Sequence, residues 1–189
     1  MGSDISAAEN FFPEKWSSSL VSLNLAGIEI DGDAEMKVSG EARVLSVAKD
    51  GAVIDEESYI VKSDGVYLAR KGTAGGDTFE PPIPLLKYPS KVGDKYEWTG
   101  TVSSGGPDRI KSEASITTSA ESLSLATGTH EAVRVSIALL IHDGPKPAER
   151  KMSFWFVKGQ GPVKRDFGTN QVRVPRAPGS EKAPEAGKG

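Results

Sequence analysis

Apolar and polar residues alternate with a period of two along most of the chain, the signature of strands with one buried face. Val133, Val135, Ile137, Leu139 and Ile141 give the cleanest case, five apolar residues on one side. Val21, Leu23 and Leu25 predict another half-buried strand. At Gly27 the phase slips to Ile28 and Ile30. Ala34, Met36, Val38, Ala42 and Val44 then alternate, before a second slip to Leu45 and Val47. Such slips predict bulged or bent strands that curl a sheet toward closure. Strands are predicted near Ala52–Lys62 and Val66–Lys71, and Tyr96, Trp98 and Val102 share a face of a later one. Arg109 to Leu125 reads as one long Ser/Thr-rich strand or two, and Val172 with Val174 as a final edge strand.

One stretch breaks the alternation. Met152, Phe154 and Phe156 point one way, and Trp155 and Val157 the other. A strand apolar on both faces needs cover on each: a second layer, a sheet closed on itself, or a bound apolar partner. Gly159 and Gly161 follow it and suit a positive-φ turn. Asp31-Gly32-Asp33, Asp50-Gly51, Ser63-Asp64-Gly65 and Thr127-Gly128-Thr129 punctuate the other strands, with Asp50-Gly51 the favoured two-residue hairpin dipeptide.

The fold class expected is therefore all-β, mainly antiparallel: a strongly curved sheet, sandwich or partly open barrel of about ten or more strands, with little helix. Residues 11–174 form a single β-rich domain behind a flexible lead-in, 1–10. Its halves, 11–72 and 88–174, read as similar in order of features. Phe12-Pro13 with Trp16 opens one and Tyr88-Pro89 with Trp98 the other. Residues 73–87 carry Gly75-Gly76 and Pro81-Pro82 and read as the loop between them. The segment 175–189 is rich in Pro, Gly, Ala and charge and is expected to be disordered.

Composition narrows the chemistry. The 189 residues include no cysteine, which removes disulfides, zinc-thiolate sites and cysteine nucleophiles together. No apolar run is long enough to span a membrane as a helix, and no export signal is present. If the native protein is exported, its signal has been cut away and Met1-Gly2-Ser3 is a cloning leader. The net charge of −3 does not argue for nucleic acid or a membrane surface. It is unevenly spread: Glu29 to Glu57 holds nine acids against three bases, and Lys146 to Arg176 eight bases against two acids.

Catalytic signals are weak. His130 sits at a turn and His142 at a strand end before Asp143. Successive strand residues face opposite ways, so His142 and Asp143 make a poor pair. Ser103-Ser104-Gly105-Gly106 lacks the setting of a nucleophile elbow. Asp31-Gly32-Asp33 and Asp55-Glu56-Glu57 lack the spaced ligands of a dedicated calcium loop, so no metal or cofactor is expected.

The second half carries a resemblance. Tyr88-Pro89-x-x-Val92-Gly93-Asp94-x-Tyr96-x-Trp98, then Gly128-Thr129-His130-Glu131-Ala132 running into Val133 and Val135, then Phe154-Trp155-Phe156-Val157-Lys158-Gly159-Gln160-Gly161-Pro162-Val163-Lys164 resemble motifs of uncharacterised bacterial secreted or lipoprotein-like β-sheet domains. The likeness covers residues 88–167. His130 departs from it where an aromatic is usual, and Pro162 where an aliphatic is usual. It implies a periplasmic or extracellular domain without assigned activity, and says nothing of a ligand.

The leading expectation is a non-enzymatic cell-envelope domain that binds a partner or an apolar small molecule in the concavity of its sheet, with Trp98, Phe154, Trp155 and Phe156 as ligand-binding residues. The alternative is a structural or adaptor module docking an acidic partner through the basic 146–176 region, with Lys158, Lys164 and Arg165 in contact. A hydrolase is the weakest reading. A homo-oligomer would cover the doubly apolar strand with a second copy.

Overall fold

The computed structural model describes residues 4–5, 11–13, 19–25, 28–125, 127–168 and 172–175. All regular structure among them is antiparallel β. The strands are β1 (Asp4–Ile5), β2 (Ser19–Leu25), β3 (Ile28–Ser39), β4 (Ala42–Lys49), β5 (Ala52–Lys62), β6 (Gly65–Lys71), β7 (Asp77–Lys87), β8 (Ser90–Lys91), β9 (Lys95–Ser104), β10 (Ile110–Leu125), β11 (Gly128–Ile141), β12 (Ala148–Val157), β13 (Gly161–Asp166) and β14 (Val172–Pro175). Apart from β1 and β8, which pair with each other, they close into a single ring. The strongly curved, antiparallel sheet that the sequence predicts is thus closed on itself. It consists of two meanders, β2 to β7 and β9 to β14, joined where β7 meets β9 and where β14 meets β2.

Each strand owes its curvature and register to local chemistry. Asp50 and Gly51 both have positive φ, 51° and 79°, as the two-residue hairpin between β4 and β5 requires. Gly159 and Gly161 supply the same freedom between β12 and β13, at 69° and 76°. Val135, Ile137, Leu139 and Ile141 of β11 are buried in the interior, with Val133 packed against them. Fully burying each such side chain contributes about 1.5–3 kcal/mol. Outward positions such as Glu35, Lys37, Glu113 and Lys151 are exposed and charged. That is the reverse of a membrane-spanning barrel, whose apolar band faces outward.

Several expectations change. The slip read between Val44 and Leu45 is not a bend: the β3–β4 register runs unbroken, with Met36 opposite Leu45 and Ala34 opposite Val47. Ala42 and Val44 simply lie on the outer side, and Val38 and Ile28 are exposed. The register shifts occur at Val47/Ala48, Ser58/Tyr59, Val66/Tyr67, Leu68/Arg70 and Trp155/Phe156 instead. The slip at Gly27 lies outside the described residues.

Residues 73–87 are not a loop beyond Gly76, because β7 occupies Asp77–Lys87. Its prolines are tolerated because β7 pairs with β9 only over Asp77–Glu80. From Pro81 onward one side of the strand needs no ladder donor. β14 is not an edge strand either. It hydrogen-bonds to β13 on one side and β2 on the other. Within the lead-in, Asp4–Ile5 is a strand paired with Ser90–Lys91, and Ile5 is buried. The expected disordered segment lies outside the described residues except for Pro175.

Candidate functional site

The two faces of β12 define the candidate regions. On the inner face, Phe154 and Phe156 are fully buried and stacked, with centroids 6.4 Å apart. Phe11 packs edge-on against Phe156 at 6.2 Å, and Phe12 lies 6.1 Å from Phe156 and 5.3 Å from Tyr59. Phe167 meets Phe154 at 5.5 Å. The concavity predicted to hold a ligand is thus occupied by the chain's own rings, and Phe11 and Phe12 come from outside the barrel strands to complete the stack. Trp98 is buried elsewhere. It packs edge-on against Phe79 at 6.5 Å, and its indole N–H donates to the Pro81 carbonyl at 2.9 Å.

Charge also enters the interior. Glu57 and Tyr59 alternate inward on β5, and Arg165 reaches them from β13 on the far side of the ring. Its guanidinium lies 3.6 Å from the Glu57 carboxylate and donates to the Pro162 carbonyl at 2.7 Å. Burial pushes the Glu57 carboxyl above its ordinary range, against the opposing pull of Arg165 and Lys71. Burial likewise lowers Lys71, which sits across from Glu57 in the β5–β6 ladder. Arg165 is 3% exposed and already paired, so it cannot serve the expected docking surface. Sequence reasoning missed this because an acid at an inward position looks the same as one facing water until its partner across the ring is known.

The outer face of β12 buries Trp155 with Leu123, Ala132, Val157 and Val163. This cluster answers the demand for cover on the second side of the strand. The rest of the cover is cationic. Arg134 lies opposite Trp155 in the β11–β12 ladder, and Lys164 opposite it in the β12–β13 ladder. The Arg134 guanidinium is 5.0 Å and the Lys164 ammonium 4.5 Å from the indole ring, both within cation–π range. Trp155 is 3% exposed, yet among the described residues its indole N–H and the Nε–H of Arg134 meet no acceptor. Beside this patch a groove of about 350 Å³ runs over the strands, its polar lining Ser115, Thr117, Ser136 and Ser153 with Arg134, Lys151 and the acid Asp166. Lys158 is exposed in the turn that follows β12.

Of the expected ligand residues, the structure therefore brings together Phe154 and Phe156, sends Trp155 to the opposite face and puts Trp98 in a separate contact. Of the expected docking residues, Lys158 and Lys164 are on the outer side. The histidines lie at opposite ends of β11: His130 contacts the Thr127 hydroxyl at 2.9 Å and His142 the Glu113 carboxylate at 3.3 Å. Among the described residues, no group of three or more histidine and carboxylate side chains is placed to hold a metal ion.

No family model and no curated protein matches the chain. Two solved structures share its fold. One, described as a "putative lipoprotein" from Parabacteroides distasonis, aligns with a TM-score of 0.51 at 10% identity over 88% of this chain and 96% of its own. The other, described as a "putative exported protein" with a YmcC-like fold from Bacteroides fragilis, aligns with a TM-score of 0.51 at 11% identity over 88% of this chain and 97% of its own. At such identities the likeness is one of fold: a strongly curved, all-antiparallel β architecture.

Proposed function

We propose that this chain is an exported, non-enzymatic binding module that docks an acidic protein segment on the outer face of β11, β12 and β13. The observation that carries the reading is the buried Trp155 N–H, left without an acceptor beneath the cations of Arg134 and Lys164; Arg134 pairs with Glu121 at 3.6 Å through its terminal nitrogen, while its Nε–H also lacks an acceptor. A buried polar group without a partner costs about 1–3 kcal/mol. A carboxylate that displaces Lys164 from the ring would accept from these donors and recover that cost. Tryptophan and arginine at the centre of a patch are also the residues most often found to dominate binding. The hydroxyl-lined groove offers donors for the rest of an extended segment. Export is supported by the words used for the two fold neighbours. The reading of an apolar ligand in the concavity is less favoured, because that volume is packed with phenylalanine and tyrosine rings.

A poly-glutamate peptide on a biosensor surface tests this. The expected result is salt-sensitive capture that falls at least tenfold in the double variant Lys158→Glu/Lys164→Glu, and severalfold in Trp155→Phe, which keeps the ring and removes the N–H. Equal capture by all three proteins overturns the reading.

A further inference from the structure

The two meanders share one interior, and neither owns a complete core. Phe154 of β12 meets Tyr59 of β5 at 6.5 Å, Phe156 meets Phe12 at 6.1 Å, and Trp98 of β9 meets Phe79 of β7 at 6.5 Å. The buried ion pair joins Glu57 of β5 to Arg165 of β13. On the surface Arg150 of β12 pairs with Asp77 of β7, and Arg109, just ahead of β10, with Glu80 of β7. A meander standing alone would leave these rings in water and these charges unpaired, so each half must find a complement.

The backbone ladder is distributed differently. β10 and β11 share fourteen residue pairs, and β4 and β5 eight. The seams between the meanders have four each. The thinnest ladder, two pairs between β13 and β14, lies at the far end of the second meander. One stretch of chain connects the halves. Its start is fixed to the first meander, where the Tyr88 N–H donates to the Asp64 carbonyl at 2.8 Å. Its end is fixed to the second, where the Gly93 N–H donates to the Thr118 carbonyl at 3.0 Å. Residues 89–92 lie between these anchors as a hinge.

A first meander therefore has two equivalent complements: the second meander of its own chain, or that of another copy. Both offer the same seams, the same rings and the same ion pairs, and only the path of the hinge differs. Exchange of an identical element between copies is a low-cost route to a dimer for this reason. We propose that a second copy of this chain is such a partner. In the closed dimer the first meander of each copy completes its ring with the second meander of the other, and the chains cross at residues 89–92. Each ring keeps its own Trp155 patch, so the dimer presents two of them, whatever binds there.

The chain has no cysteine, so introduced thiols report cleanly. Thr78 and Ser103 lie directly opposite each other in the β7–β9 ladder, the first exposed and the second half-buried. Opposed residues of an antiparallel pair have Cα atoms about 4.5–5.5 Å apart, which a disulfide spans without strain. Thr78→Cys and Ser103→Cys are made in separate copies, mixed unfolded, refolded together and oxidised. The expected product is a disulfide-linked dimer holding one copy of each variant, its yield rising severalfold as the refolding concentration rises tenfold. Either variant refolded alone should give at least tenfold less. The double variant Thr78→Cys/Ser103→Cys, refolded dilute, should link within a single chain. At high concentration its dimer should be linked between chains. Wild-type chain that stays monomeric on size exclusion after concentrated refolding overturns the proposal. So does a dimer of the double variant linked only within single chains, the outcome if β14 alone were exchanged.

Discussion

The inner and outer faces of β12 solve the same problem in opposite ways. Inside, Phe154 and Phe156 are covered by rings from other parts of the same chain, and a buried ion pair, Glu57 with Arg165, brings its own counter-charge. Outside, Trp155 is covered by the flexible ends of Arg134 and Lys164, and its N–H has no acceptor among the described residues. The inner face is covered by packed rings within one molecule, although among the described residues the Nε–H of Arg165 there meets no hydrogen-bond acceptor, as the indole N–H of Trp155 does not outside. What differs is the cover: rings fixed by their own packing inside, cationic side chains with flexible ends outside. A cover that can move aside separates a docking surface from a core better than hydrophobicity does, since both faces are apolar.

Three measurements would break or sharpen the contrast. The largest effect should come from Phe156→Ala, which opens a cavity among Phe11, Phe12 and Phe154. Chemical denaturation should show a loss of about 3–5 kcal/mol. Lys164→Ala on the outer face should cost less than about 1 kcal/mol, since the side chain is half-buried and its ammonium makes only a surface electrostatic contact. A similar loss at both positions would erase the distinction.

Next in size is Arg165→Met. It strands the Glu57 carboxylate in the interior and should cost about 3 kcal/mol, toward the lower end of what breaking a buried pair costs. Adding Glu57→Leu should restore most of the loss, because replacing both partners removes the stranded charge. If the double variant is no better than the single one, the pair is not a closed unit.

The smallest effect is a pH slope. Glu57 is raised above the ordinary carboxylate value of 4.5, with burial the largest cause. In the interval above 4.5 and up to its folded value, the folded chain holds more protons than the unfolded one. Its contribution to stability is therefore full at lower pH and is lost as pH rises through the folded value. Relative to Glu57→Gln, the wild type should lose stability with rising pH across that interval. Parallel stability curves for the two proteins would mean that Arg165 and Lys71 fully offset the burial.

The parts of this picture that were legible in the sequence are those governed by neighbours in the chain. The five alternating residues from Val133 to Ile141, the Asp50-Gly51 hairpin, the strand at Ala52–Lys62 and the doubly apolar stretch at Met152–Val157 all have local causes. What was not legible depends on the far side of the ring. Pro81, Pro82 and Pro84 resemble loop residues until the strand's pairing with β9 is seen to stop at Glu80. Val172 and Val174 resemble an edge until β2 supplies a second neighbour. Arg165 resembles a surface cation until Glu57 meets it across the interior. The resemblance noted over residues 88–167 pointed to the right fold class but could not distinguish the inner from the outer use of its aromatic strand.

The two seams of the ring have a consequence for how the molecule is made. Each is short, four residue pairs between β7 and β9 and four between β14 and β2. The first meander can assemble as soon as Lys87 is available, but β2 then waits with an open edge for β14, the last strand of the ring in sequence. Pairings of such long sequence separation form slowly, and an open strand edge in the interval invites pairing with a neighbouring chain. The last few residues described, Val172–Pro175, therefore act as a clasp. Until they arrive, every copy of this ring is a half-built sheet with a free border, exposed to its neighbours for as long as β14 is missing.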